Sequence, residues 1–113
     1  MSSLDKKVIS ELKALMGENL LEVFEAFIQS SNKLMEELVL EIKSGQNTNI
    51  EKAAHTLKGS SANIGAKTLS EFSSVLVEMA RGNIEEDFIH AMKQLSGEHR
   101  NVLQEINEFL NVK

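Results

Sequence analysis

The sequence predicts an all-α fold: an antiparallel up-down four-helix bundle with an additional short helix at the N-terminus. Three observations predict it. Apolar residues recur at steps of three and four in five separate stretches, the spacing of one helix face. The 113 residues include no proline and six glycines, so few hard breaks interrupt those stretches. Valine and isoleucine never gather into alternating runs bounded by turn residues, the mark of a half-buried strand.

The first helix is expected from Leu4 to Met16, with Ser3 as N-cap, Asp5 in the first turn, and Leu4, Val8, Leu12 and Leu15 as its stripe. Gly17 stops it. The second runs from Asn19 to Lys43 on a stripe of Leu20, Phe24, Phe27, Ile28, Leu34, Met35, Leu38 and Ile42. Ser31 interrupts that stripe where a small residue lets another helix come close. Ser44-Gly45-Gln46-Asn47 reads as a loop. The third helix runs from Thr48 to just before Gly65, with Ile50, Ala54, Leu57, Ser61 and Ile64 inward. Gly65 stands where a left-handed C-cap belongs. The fourth spans Lys67 to Arg81, with Leu69, Phe72, Leu76 and Met79 inward and Gly82 as its stop.

Asn83 followed by Glu86 matches a reciprocal capping pair for the last helix. Its stripe is Ile84, Phe88, Met92, Leu95, Val102, Ile106 and Phe109. Ser96-Gly97 lies inside that stripe; the phase is kept across it, so the helix is expected to continue. Short loops make consecutive helices antiparallel neighbours, and residues 1–113 are read as one domain. The five methionines sit at helical spacing and read as core filler.

Composition narrows the function. The net charge is −5 and the pI about 5.2, which leaves no basic footprint for nucleic acid and disfavours anionic membranes. Without cysteine there is no disulfide and no thiol chemistry. Met1-Ser2-Ser3-Leu4-Asp5-Lys6-Lys7 is not followed by the apolar run of a signal peptide, and no stretch is long and apolar enough to span a bilayer. A cytoplasmic protein is expected. No glycine-rich loop follows a strand, so a nucleotide-phosphate cradle and an ATP site are not expected.

One stretch departs from ordinary helix composition: Ala53-Ala54-His55-Thr56-Leu57-Lys58-Gly59-Ser60-Ser61-Ala62-Asn63-Ile64-Gly65-Ala66. At about 100° per residue, His55 points about 150° from the centre of the apolar stripe, out of the bundle. Lys58 and Gly59 follow at i+3 and i+4 and share that outward surface. A mid-helix glycine costs about 1 kcal/mol against alanine, and on the outward face that cost suggests something that approaches the backbone closely. An exposed imidazole offers a neutral nitrogen as a nucleophile near pH 7. Phosphoryl transfer through such a nitrogen asks for in-line approach, charge neutralisation and room for the donor. His55, Lys58 and Gly59 meet those needs in turn. His55 has no acid or histidine at i+3 or i+4, which argues against a helical metal pair. His90 and His99, nine residues apart, read as surface histidines. Ser60 and Ser61 read chiefly as small packing residues.

His55-Thr56-Leu57-Lys58-Gly59-Ser60-Ser61, followed by Gly65-Ala66, closely resembles the signature of histidine-containing phosphotransfer (HPt) domains. Leu4-Asp5 with Leu12, then Met16-Gly17-Glu18, resembles that family's first helix and turn, and Val77-Glu78-Met79-Ala80-Arg81 the end of its fourth. The resemblance implies the bundle described above and a phosphorelay intermediate. His55 would take a phosphoryl group from the aspartyl phosphate of one receiver domain and pass it to the aspartate of another. By the same resemblance Lys58 supports the phosphate, Gly59 leaves space for the receiver and Gly65 ends the helix. Docking is expected on Gly59 and Ala62 with Phe27, Ser31 and Leu34 of the second helix, and Ser30 beside them. Arg81 is either near that surface or simply a cation at a helix C-terminus. Val77 stands where many relatives carry a polar residue, which leaves the imidazole without support from that position. The expected partners are response-regulator receiver domains, of a hybrid sensor kinase and of a downstream regulator, with the chain itself a monomer. No metal or cofactor is expected on the chain; Mg²⁺ belongs to the receiver. The Met1 start and the near-complete match to one domain point to a free-standing protein. The competing reading is a helical adaptor that binds a receiver without carrying phosphate.

Overall fold

The computed structural model describes residues 2–84 and 86–111, and those residues form five α-helices: α1 (Lys6–Met16), α2 (Asn19–Ser44), α3 (Asn47–Asn63), α4 (Lys67–Ala80) and α5 (Phe88–Asn111). No strand occurs among the described residues. The helices α2 to α5 form a ring of four. α3 packs against α2 and α4, and α5 packs against α4 and α2, so α3 and α5 stand diagonally across the bundle. The molecule is elongated, 43 × 22 × 20 Å, as expected when its longest helices lie along one axis.

The core is drawn largely from the stripes of α2 to α5 read from the sequence. Leu20, Phe24 and Leu38 from α2, Ile50, Ala54 and Leu57 from α3, Leu69 and Leu76 from α4, and Leu95, Val102 and Ile106 from α5 are all buried. Phe24 meets Phe109 edge to face, with ring centroids 5.2 Å apart. Ser96-Gly97 leaves α5 unbroken.

Both ends of the chain's capping scheme differ from expectation. Asp5, not Ser3, caps α1: its carboxylate accepts from the Lys7 and Val8 amides at 2.9 and 3.4 Å. The Ser3 and Leu4 amides instead donate to the Glu105 carboxylate on α5, which holds this segment outside the helix. Leu15 is 84% exposed; Ile9, Leu12 and Met16 are the residues of α1 that pack on the core. Asn83 does not open α5. Its amide side chain donates to Glu78 and its backbone N–H to the Glu78 carbonyl, both at 2.9 Å, so it finishes α4. Asp87 caps α5 by accepting from the Ile89 amide at 2.9 Å, and Ile84 lies outside the helix, partly exposed.

Helix α1 closes the end of the bundle where α3 turns into α4. The Asp5 N–H donates to the Gly65 carbonyl at 2.8 Å. Gly65 has φ +78°, the left-handed conformation that glycine adopts without steric cost. A Cβ there would lie 3.0 Å from Val8 Cβ, so α1 sits against the bare turn. Gly65 is therefore structural on two counts.

Candidate functional site

The α3 stripe decides what faces water. Ile50, Ala53, Ala54, Leu57 and Ser61 are buried, and the opposite side of the same helix presents His55, Lys58, Gly59 and Ala62, all exposed. Ala residues on the buried face let α3 lie close to its neighbours, which holds this outward row on a well-packed helix rather than on a loop. The Ser70 hydroxyl of α4 donates to the Lys58 carbonyl at 2.9 Å and fastens the two helices beside the row.

Gly59 has no packing partner among the described residues. A Cβ built on it meets nothing within 4 Å, so tight helix packing does not account for it. The backbone is left bare one turn beyond the imidazole, at a cost of about 1 kcal/mol in helix propensity. Next to Ala62, a small depression of about 160 Å³ lies between α3, α4 and α1, lined by Gly65, Lys67 and Ser70.

One turn before His55 stands Glu51, at i−4. Its carboxylate accepts from Arg81 Nε at 2.9 Å, and Arg81 also reaches Glu78 at 3.3 Å. The hydrogen bond to Glu51, then the Glu51 charge, raises the guanidinium pKa above its ordinary value. Arg81 thus lies on the α3 surface near the histidine row, and it also ends α4. The acid beside His55 therefore stands at i−4, one turn before it, and not at i+3 or i+4.

The second-helix expectations divide. Leu34 is half-buried and Ser30 exposed, so both reach the surface. Phe27, 4% exposed, and Ser31, with no exposed area, belong to the core and offer no docking surface. Ser31 is small for a different reason: its Oγ lies 2.8 Å from His99 Nε2. His99 is accordingly not a surface residue as expected but 7% exposed, and burial lowers its pKa. His90 is exposed. Val77 is buried and presents no polar group.

Among the described residues, no cluster of three or more His, Cys, Asp or Glu side chains is placed to hold a metal ion, and no helix is long and apolar enough to cross a membrane.

The arrangement therefore offers an exposed imidazole, a flexible ammonium on the same face and an uncovered turn of main chain. Comparison with known proteins agrees with the fold. The crystal structure of histidine-containing phosphotransfer protein B from Pseudomonas aeruginosa PAO1 superposes with a TM-score of 0.89 at 24% identity, covering 94% of this chain and 92% of that one. No curated protein sequence matches the chain. A family model, the Hpt domain, matches residues 22–110, which takes in α3 and α4 and nearly all of α2 and α5 and leaves α1 outside. On that match the chain belongs to the Hpt domain family, the histidine-containing phosphotransfer proteins of phosphorelays.

Proposed function

We propose that the chain is a phosphorelay intermediate in which His55 carries the phosphoryl group. A neutral ring nitrogen of His55 attacks the phosphorus of an aspartyl phosphate on a receiver domain. The N–P bond forms as the P–O bond to the aspartyl carboxyl breaks, and the receiver's aspartate leaves as a carboxylate with the bonding pair. The reverse step places the group on the aspartate of a second receiver.

Each neighbour has a part in this reading. Lys58 reaches the phosphate oxygens as counter-ion. Gly59 admits the receiver's main chain, and Ala62 and Leu34 border the contact. Mg²⁺ would be supplied by the receiver's acidic pocket. The partners are the receiver domains of a hybrid sensor kinase and of a downstream regulator, met in the cytoplasm by a monomer. The acidic pI and the lack of an apolar span among the described residues support that location.

The observation that carries the proposal is the packing-free Gly59 beside an exposed His55. Nothing in the chain's own stability calls for that glycine. The test is incubation with a phosphorylated receiver domain followed by intact mass measurement. The wild-type chain should gain one phosphoryl group and His55→Gln none. A phosphorylated His55→Gln variant would refute the assignment. A wild-type chain that binds the receiver yet never gains phosphate would mark an adaptor instead.

A further inference from the structure

Gly97 stands in mid-helix on α5 and is half-buried, yet, as at the exposed Gly59 on α3, a Cβ built there meets nothing within 4 Å among the described residues. No packing among the described residues explains either glycine. Around Gly97, α2 and α5 part to leave a groove of about 470 Å³. Val39 and Ile42 of α2 and Phe88, Ile89 and Met92 of α5 are its apolar lining, and Ile89 is 64% exposed. Among the described residues, the charged ones of the lining are Lys43, Lys93 and Arg100, with no acid, in a chain of 17 acidic and 12 basic residues. None of the three makes an ion pair among the described residues. The groove lies between α2 and α5, and α5 is diagonal to α3, so this face is separate from the His55 row.

We infer that the groove receives an acidic amphipathic helix of a partner protein. Between Phe88 and Arg100, α5 rises about 18 Å, the length of about three helical turns. A partner's apolar stripe would cover Val39, Ile89 and Met92, its backbone would come close over Gly97, and its flanking carboxylates would meet Lys43, Lys93 and Arg100. Concavity favours a helix over the flat surface of a bilayer. The net charge of −5 works against long-range attraction to anionic lipid, whereas the local cations act at contact distance.

The test uses the full chain and a fluorescein-labelled peptide helix of about four turns, with leucines at i, i+3, i+4 and i+7 and glutamates on both flanks. A second peptide replaces the glutamates with lysines. Saturable anisotropy changes with the acidic peptide, about tenfold tighter than with the basic one, are expected, with amide NMR shifts at Val39, Ile89 and Gly97. Gly97→Gln should weaken binding about tenfold while raising the melting temperature, because glutamine is the better helix former. Lys93→Glu combined with Arg100→Glu should reverse the charge preference. Absence of saturable binding, or equal binding of both peptides, overturns the inference. So does sedimentation with phosphatidylglycerol vesicles in preference to the peptide, or a dimer that Ile89→Lys dissolves. Gly97→Gln leaves phosphoryl transfer at His55 unchanged, so failure here is distinct from failure of the relay reading.

Discussion

Ser31 on α2 and His99 on α5 share a hydrogen bond of 2.8 Å between Oγ and Nε2 within the bundle, although 68 residues separate them in sequence. It is a polar tie between two helices otherwise joined by apolar contacts. The pair explains the break in the α2 stripe. A larger residue at position 31 would collide with the imidazole, and an alanine would leave that ring without its partner.

Burial lowers the His99 pKa, so the folded state favours the neutral ring. The unfolded chain titrates near the ordinary value of about 6.5. Below that pH the unfolded state binds the proton that the folded state refuses, and stability drops until the folded ring also titrates. Urea unfolding should therefore give constant stability from this group above about pH 7 and a decline towards pH 5, of at most about 1.4 kcal/mol per pH unit. His99→Leu should flatten that part of the profile. An unchanged profile in the variant would contradict the role assigned to the ring.

Much of this molecule was legible in the residues because the α3 stripe is unambiguous. Its buried set sits at steps of three and four, and His55, Lys58 and Gly59 then have only one side left. The burial of His99 follows from its phase and not its polarity: it stands four residues after Leu95 and three before Val102, inside the stripe. Other features had no local trace. Ser3 and Asp5 are both competent caps, and the choice is made by Glu105, about 100 residues away, which takes the Ser3 and Leu4 amides. In α1 two stripes compete, one through Leu15 and one through Met16, and docking of the helix selects the second. The Arg81–Glu51 pair likewise exists only because α4 ends beside α3.

Gly59→Gln separates folding from docking. The side chain enters open space, so the fold should be retained and gain about 0.5 kcal/mol from helix propensity. Transfer from a phosphorylated receiver should slow by at least about tenfold, whereas a small phosphoramidate, which needs no docking space, should label His55 as before. Stopped-flow transfer and thermal melts on the same preparation measure both. A normal transfer rate would remove the steric role of Gly59.

Gly65→Ala should act in the opposite sense. The left-handed φ costs a Cβ-bearing residue about 1–2 kcal/mol, and the added methyl meets Val8 Cβ at 3.0 Å. A loss of about 1–3 kcal/mol is expected, with faster amide exchange in α1. Val8→Ala should recover part of that loss in the double variant, because it removes the Cγ1 that lies 3.1 Å from the added methyl and leaves α1 freer to shift its remaining Cβ away. Full additivity of the two substitutions would show that α1 does not press on this turn.

Ser61 and Ser31 are both without exposed area, yet they differ in what their hydroxyls reach. Ser31 has His99, while Ser61 Oγ has no hydrogen-bond partner among the described residues. A buried hydroxyl without a partner costs about 1–3 kcal/mol relative to one that is satisfied. Ser61→Ala removes that burden and also improves helix propensity, so a gain of about 1 kcal/mol is expected. Ser31→Ala strands the imidazole and should lose about 1–3 kcal/mol. Chemical denaturation of the two variants beside the wild type tests the contrast. Because Ser61 lies on the inner side of α3, its alanine variant should still take phosphate at wild-type rate. If it instead transfers poorly while folding normally, the hydroxyl serves the His55 face, and its lack of a partner in the free chain would be a feature of the site.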